Sequence, residues 1–414
     1  MKKVKYLVLG AGVSGLAFAY EKRNEDVLVI EKDKKPGGLC QSFFAPGFVW
    51  DVAGHFLHFH SEETKHYVLN LLQGVELAKV NKVAKIYYGG KYMSAPFQYN
   101  IHQLQQEEFL QCLTDLYYAQ EPAGDCSFKD FVKQKFGKGI SEKFLIPYNE
   151  KLYACDLDDL EKDSMGKFLP RLSFDMLMSF YKGGKGETYN DYFLYPRNGI
   201  VEIINVLVNR IGADRIHLEE EALSVDYQNK TVITTRDEYH YKYLISTIPL
   251  KEFSERTGVG NTEVLHSNKI VILNLGFDIP SIDKEVNWIY YPGDEVFYRV
   301  GCYNNIAYRE KLSLYVEIGC KSDADVDIDS LLQKTLVDLK RVGLINKHQL
   351  EAYHSIVVKP AYVHISKDGA RETHDIISEM NKNNVFMLGR YARWEYSAMD
   401  DSIEQAIELA KQIV

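Results

Sequence analysis

Cysteine is scarce and scattered. Six occur in 414 residues, at 40, 112, 126, 155, 302 and 320, with no Cys-x-x-Cys and no histidine cluster at ligand spacing. This argues against a disulfide framework and predicts reduced, mostly buried thiols and no metal site. Long apolar runs are missing too, and none approaches the ~20 residues that cross a bilayer. Positive charge is in deficit: the net charge is −9 and the sequence pI about 5.8, which argues against nucleic acid or an anionic membrane as partner. Met1-Lys2-Lys3 runs straight into an apolar strand, which predicts no signal peptide and a soluble, cytoplasmic protein. A homo-oligomer is compatible with this composition. Ser-His-Asp and Cys-His patterns are absent, and no carboxylate pair stands at fixed spacing. Tryptophan is rare at 3 residues, against 29 tyrosines. Tyrosine joins a flat apolar ring to a hydroxyl, so an excess suits pockets that grip rings and phosphates, although any single one serves equally well as core filler.

The length exceeds what one hydrophobic core sustains, so two or three domains are expected. Val4 to Leu9 is a continuous apolar run, as in a parallel strand buried on both faces. A glycine-rich turn, a helix over Leu16 to Lys22 and a second strand, Val27 to Ile30, complete a βαβ unit. A strand is predicted around Phe43 to Asp51. Helical spacing dominates Gln103–Tyr118, Phe128–Phe136 and Ser164–Tyr181, before a Gly-rich break at 183–186 that could act as a lid. A helix over Ile200–Ile211 and short strands ending at Thr247 follow. The stretch 268–365 reads as β-rich. Val385–Leu388 and a helix beginning near Asp400 close the chain, with Ile403, Ala406, Ile407, Ala410 and Ile413 as its apolar stripe. The fold class is α/β: a Rossmann-type cofactor-binding domain (1–75, 190–250, 375–414), a helical substrate domain (100–189) and a mixed or antiparallel β-sheet substrate domain (76–99, 251–374).

Gly10-Ala11-Gly12-Val13-Ser14-Gly15 follows a buried strand and opens a helix, the context in which Gly-x-Gly-x-x-Gly signals a dinucleotide site. Gly10 makes the tight turn, Gly12 admits the pyrophosphate, and Gly15 lets helix and strand pack closely. The helix N-terminus offers free N–H groups to the phosphates. Glu31 closes the second strand, where a carboxylate can accept from a ribose. FAD is favoured over NAD by Glu31-Lys32 and a second glycine pair, Gly37-Gly38, followed by Leu39. Gly389-Arg390 before a second helix N-terminus also fits a flavin, whose reduced anionic form that helix end would stabilise.

These residues, together with motifs spread over nearly the whole length, resemble the flavin-dependent nucleotide-sugar mutases of the UDP-galactopyranose mutase type, within the amine-oxidase-like FAD superfamily. Asp51-Val52-Ala53-Gly54-His55 is similar to the segment whose histidine lies beside the isoalloxazine. Pro96-Phe97-Gln98-Tyr99-Asn100 resembles the eukaryotic-type uracil segment, with Phe97 stacking and Gln98 reading the base edge; Ala95 stands where the family often has Tyr. Pro147 to Tyr153 looks like the Pro-Tyr-Asn segment, with Asn149 the polar contact and Tyr153 in place of the usual Trp. Trp288 to Pro292 and Phe297-Tyr298-Arg299 imply Tyr290 for the nucleotide and Arg299 for the diphosphate. Arg171 is the candidate second diphosphate arginine, while Arg171 and Arg197 equally fit surface or flavin-domain positions. Tyr362 and Tyr396 match the phosphate-holding tyrosines, and Gly389-Arg390 through Met399-Asp400 and Ser402 matches the flavin-closing C-terminal signature.

The resemblance implies an isomerisation of a nucleotide sugar, UDP-galactose or a related NDP-sugar, between pyranose and furanose forms. FAD would act in its reduced form through N5, with His55, Arg299 and Arg171 at the reacting centre and NAD(P)H as a candidate reductant. Two alternatives stay open: an FAD oxidoreductase of the amine-oxidase, protoporphyrinogen-oxidase or desaturase kind, and a flavoprotein scaffold without turnover.

Overall fold

The computed structural model describes residues 1–414 except 123, 167, 168, 170, 171, 184–190 and 414. Strand β1 (Lys2–Leu9), helix α1 (Val13–Glu21) and strand β2 (Val27–Ile30) form the expected βαβ unit. Tyr6, Leu7, Val8 and Leu9 are at most 1% exposed, so β1 has no solvent face and no reason to alternate. It pairs in parallel with β2 on one side and with Glu238–Ser246 on the other. Ile216–His217 and Val385–Met387 add further parallel pairings, and the hairpin Ala222–Asp226/Thr231–Thr234 extends the sheet antiparallel. Helix α1 lies against Val201–Ile211 and the terminal helix Met399–Gln412. From the predicted stripe, Ile403, Ala406, Ala410 and Ile413 are buried in this core and Ile407 packs at its margin.

A second seven-stranded sheet runs Leu350–Val358, Lys269–Phe277, Ser313–Cys320, Arg299–Cys302, Trp288–Tyr290, Ala84–Tyr88, Lys91–Ser94. Every pairing in it is antiparallel except that between Trp288–Tyr290 and Ala84–Tyr88. One face packs on the helices Phe128–Ile140 and Ile146–Tyr153, which a π-helical turn, Ser141–Leu145, joins. Its other face is covered by the helix Ile328–Arg341, whose buried side is Leu332, Thr335 and Leu339.

Several elements differ from the sequence expectation. The stretch predicted as one strand around Phe43 to Asp51 is a hairpin, Ser42–Ala45 and Phe48–Asp51, turned at Gly47 with φ +85°. Only glycine takes that conformation at low cost. In place of a helix over Ser164–Tyr181, the described residues show turns at 162–165 and a helix restricted to Phe174–Tyr181. The helix Ile328–Arg341 interrupts the stretch read as β-rich, and Glu62–Leu71 and Lys367–Lys382 are further helices. The Gly-rich break falls outside the described residues except at Gly183.

Candidate functional site

The N-terminal turn is built by steric necessity. Gly10 sits at φ +101° and donates its N–H to the Ile30 carbonyl at 2.8 Å. A Cβ on Gly15 would collide with the Gly10 carbonyl oxygen, so this glycine is what lets α1 approach β1. A Cβ on Gly12 would meet nothing within 4 Å except open space. Gly38, at φ +54°, lies across from Gly12: its own Cβ would reach the Gly12 Cα at 3.4 Å. Gly37 donates to the Ala11 carbonyl at 2.7 Å, which draws the two glycine segments together. Glu31 braces the same turn, its Oε2 accepting from Ala11 N–H at 2.7 Å and its Oε1 from Asp33 N–H at 3.0 Å. Burial raises its pKa, and the two backbone donors work against that rise.

The C-terminal glycine reaches the same place. Gly389 has φ +84°, and a Cβ there would collide with Ser14 Oγ on the first turn of α1. The terminal helix begins nearby. Asp401 Oδ2 accepts the Ala398 N–H at 2.8 Å, and Met399 Sδ lies 3.6 Å from the Cys40 thiol beside Gly38 and Leu39. Ser402 is turned inward to the Ala398 carbonyl of its own helix at 3.2 Å. Asp400 is 3% exposed and holds His60 Nδ1 at 2.8 Å, while His60 Nε2 faces Glu404 at 2.9 Å. His60, Asp400 and Asp401 thus form a group at metal-ligand spacing, where the sequence predicts no metal site; their polar atoms bind one another.

His55 follows a clamp on the backbone. Asp51 is fully buried, and its carboxylate accepts from Ser42 Oγ at 2.5 Å, Tyr195 OH at 2.7 Å and Ile200 N–H at 3.2 Å. Desolvation nevertheless pushes its pKa up to about 6. Tyr303 OH accepts the Asp51 N–H and donates to the Ala53 carbonyl, at 3.1 and 2.7 Å. Beyond this clamp His55 Nδ1 is buried without a partner, and desolvation pushes the imidazole down to about 4. The Arg390 and Arg299 charges push the same way, while Glu317 opposes them. At neutral pH His55 is therefore uncharged.

Around it lies a cluster of tyrosines and arginines, called the basin below. Glu317, 0% exposed, accepts from Arg299 Nη2 with both oxygens at 2.7 Å and from Tyr298 OH at 2.5 Å. Arg299 keeps a buried Nε without a partner. Arg390 sits 4.6 Å from the Tyr396 ring centroid and 5.1 Å from that of Tyr362. It donates to the carbonyls of Ser397 and Ala361 at 3.1 and 3.4 Å, and its Nε is also buried and unpartnered. Among the described residues no carboxylate pairs with it. Tyr362 and Tyr396 pack at 5.5 Å, and Tyr153 meets Tyr362 edge-on at 5.8 Å. Tyr290 accepts from Trp288 Nε1 at 2.8 Å and meets Tyr148 edge-on at 5.3 Å.

The fold therefore gathers His55, Arg299, Tyr153, Tyr290, Tyr362 and Tyr396, and places Gly10, Gly12, Gly15, Glu31, Gly38, Gly389 and Met399 on one seam. Other predicted residues stand elsewhere. Phe97 has no exposed face for a base: it is 0% exposed and stacked on Phe144 at 5.1 Å, a core position. Gln98 and Asn149 are 1% exposed, each with one unpartnered polar atom, Nε2 and Oδ1; Asn149 Nδ2 caps the Leu145 carbonyl at 2.6 Å. Lys32 is half exposed, facing Glu252 across 3.7 Å at the surface. Arg171 lies outside the described residues, and Arg197 is a surface residue paired with Glu76 at 3.0 Å. Arg390, predicted only as a cofactor contact, supplies the basin's second guanidinium. Sequence reasoning missed Glu317, whose only signal is an acid at a buried phase of a strand, SLYVEIGC.

The sequence profile of the flavin containing amine oxidoreductase family matches residues 13–414. The chain belongs to that family. Among solved structures it is similar to reduced UDP-galactopyranose mutase, with TM-score 0.91, 20% identity, and 99% of this chain and 95% of that one covered. It is also similar to a provisionally assigned protoporphyrinogen oxidase from Exiguobacterium (0.75, 15%, 99% and 98%) and to cyclohexylamine oxidase from Brevibacterium oxydans (0.70, 14%, 99% and 99%). At these identities the likeness establishes the fold, the α/β flavin fold that the sequence predicts. An uncharacterised protein from the nifH2 3′ region of Methanothermococcus thermolithotrophicus is 50% identical over 54 residues, 13% of this chain and 52% of that relative. The chain spans about half the length of that curated relative. A flavin fits the residues present: open space over Gly12, a facing Gly38, and buried unpartnered atoms on His55 and Arg390.

Proposed function

We propose that this protein is a flavin-dependent nucleotide-sugar mutase that interconverts the pyranose and furanose forms of a UDP-sugar, with UDP-galactose the first candidate and NAD(P)H the candidate reductant. The observation that carries this reading is the charge of the basin. Arg299 is paired with Glu317, Arg390 has no carboxylate partner among the described residues, and His55 is neutral, so one buried positive charge is left over. An anion such as a diphosphate balances it; an amine substrate, itself cationic, does not. When bound, a reduced flavin supplies a nucleophile at N5 for the anomeric carbon.

The chain's own part is binding and exclusion. Arg299, held in place by Glu317, offers its remaining donors to the departing diphosphate. Tyr362 and Tyr396 supply hydroxyls and cover Arg390, which keeps water from competing. His55 stays neutral and adds no charge beside the flavin. The likeness to reduced UDP-galactopyranose mutase over nearly the whole chain supports this assignment. Hydride abstraction is the second reading, favoured by the family itself and by the fold shared with cyclohexylamine oxidase.

The test is to incubate the dithionite-reduced protein with UDP-galactofuranose and related nucleotide furanoses. Conversion that disappears on oxidising the flavin is expected. Substrate-dependent peroxide with no isomerisation would instead establish the oxidase. Arg299→Ala should weaken UDP binding by at least tenfold while the protein stays yellow, and unchanged affinity would remove Arg299 from the site.

A further inference from the structure

The helix Ile146–Tyr153 ends inside the protein, with Leu152 and Tyr153 both buried. The last carbonyls of a helix have no partner within it, and buried ones must find donors elsewhere. Two side chains far along the chain supply them. Asn268 Nδ2 donates to the Leu152 carbonyl at 2.7 Å, and His364 Nε2 lies 3.0 Å from the Tyr153 carbonyl. A carbonyl only accepts, so that ring nitrogen carries the proton. A Cβ on Gly319 would collide with the Lys151 carbonyl oxygen, so the same turn presses on Ser313–Cys320, the strand of Glu317.

Asn268 is 0% exposed and stands just ahead of the strand Lys269–Phe277. Its side chain works in two directions. While Nδ2 holds Leu152, Oδ1 accepts the Tyr362 N–H at 2.8 Å. Its backbone is tied to the same stretch: Asn268 N–H donates to the Tyr362 carbonyl at 3.0 Å, and Ala361 N–H donates to the Asn268 carbonyl at 3.1 Å. One planar amide thus joins the helix of Tyr153 to the segment of Tyr362, and the two rings meet edge-on at 5.8 Å across the joint. The Tyr153 hydroxyl is committed to the Ser164 carbonyl at 3.2 Å, which makes its ring a fixed wall for Tyr362.

We propose that Asn268, assisted by His364, is a positioning residue for the substrate diphosphate. By holding the Leu152 carbonyl and the Tyr362 N–H together it fixes Tyr362 against the Tyr153 ring, so that the Tyr362 hydroxyl is presented to a phosphate oxygen. This rests on the nucleotide-sugar reading above. The geometry requires an amide. A carboxylate would set an oxygen against the Leu152 carbonyl, and an aliphatic side chain would leave a buried carbonyl and a buried N–H unpaired. Truncation to alanine removes only Nδ2 and Oδ1, since the backbone bonds to Ala361 and Tyr362 remain. None of these bonds touches the Gly10–Gly15 turn, so flavin retention is not at stake.

The test is calorimetric titration of the full-length flavoprotein with UDP and with uridine, which lacks the diphosphate. Asn268→Ala should weaken UDP binding about tenfold, leave uridine within about twofold, and stay yellow. Added to Tyr362→Phe, it should weaken UDP by less than about twofold further, because both act through one hydroxyl. His364 is half-buried, and His364→Leu should weaken UDP about threefold while His364→Gln, whose amide nitrogen can stand in for Nε2, restores it. Equal loss of UDP and uridine would show a merely structural role and overturn the proposal, as would parental UDP affinity in a folded Asn268→Ala. If Asn268→Ala does not fold, the histidine pair decides, and parental UDP affinity in His364→Leu overturns it. A parent that binds no UDP overturns the mutase reading together with this one; a parent that binds UDP as tightly as the variants overturns the positioning role alone.

Discussion

At the residue scale, the two glycines five and two positions after Gly10 do opposite work, and the difference is measurable. Gly12 faces open space and has φ −74°, which any residue adopts, so Gly12→Ala should leave folding stability within about 0.5 kcal/mol of the parent. Its methyl would stand where a pyrophosphate must approach, and flavin retention on gel filtration should be lost. Gly15→Ala drives a methyl into the Gly10 carbonyl and should cost about 2–3 kcal/mol in urea unfolding. If Gly12→Ala unfolds the protein or keeps its flavin, the ligand does not pass over that glycine. The tight turn at Gly10 and the close packing at Gly15 were legible in the sequence because a glycine turn between strand and helix has few structural solutions. The role of Glu31 was less so. Spacing alone places a carboxylate near the turn; only the folded chain shows both its oxygens already accepting from Ala11 and Asp33. Phe97 shows the reverse failure, since a motif cannot tell an aromatic ring that faces a ligand from one stacked on Phe144.

At the element scale, the helical segment that carries Asn149 and Tyr153 depends on one glycine. Gly137 interrupts Phe128–Ile140 at φ +76°, ψ +162°, a region essentially reserved for glycine, with the Asp115 backbone 2.6 Å from where a Cβ would sit. Gly137→Ala should lower stability by about 3 kcal/mol, combining strain and overpacking, and should weaken UDP binding through misplacement of Ile146–Tyr153. Chemical denaturation and a UDP titration on the same sample check both; a fully stable variant would show that the kink relaxes freely. The kink was not legible, because Phe128–Phe136 has ordinary helical periodicity up to that point. The strand around Phe43 to Asp51 failed for a related reason: Phe44 and Val49 continue a strand-like apolar pattern across the Gly47 turn. Helix Ile328–Arg341 did carry a usable signal, Asp327 capping Ser330 N–H ahead of Leu332, Thr335 and Leu339, but it sits among strands and was absorbed into them. Strands buried on both faces and glycine turns declare themselves locally, whereas helices that merely cover a sheet are specified by what they cover.

At the scale of the whole molecule, burial sets carboxyls against imidazoles. Asp51 and Glu31 are pushed up, while His55, His58, His354 and His364 are pushed down, with Asp51, His55 and His58 shifted by two units or more. His55 and His58 are pushed by burial from 6.5 down to about 4. A depressed folded pKa gives stability that is present above pH 6.5 and lost as pH falls through 4. Asp51 is pushed from 3.8 up to about 6, so its term is present below 3.8 and lost as pH rises through 6. Each shift of two units or more corresponds to ~3 kcal/mol. Between pH 7 and pH 4 His55 and His58 therefore remove about twice what Asp51 restores, for a net loss from these three groups near 3 kcal/mol. Asp51→Asn removes the restoring term and should steepen the loss toward 6 kcal/mol, whereas His58→Gln should bring it close to zero. The measurement is the urea midpoint of each variant at pH 7, 5.5 and 4, taken as a difference from the parent so that distant surface carboxylates cancel. A flatter profile for Asp51→Asn would mean that the carboxyl stays ionised through the acid range. The clamp around Ala53 and His55 would then rest on a permanent buried charge, held by Ser42, Tyr195 and the Ile200 N–H strongly enough to outweigh desolvation.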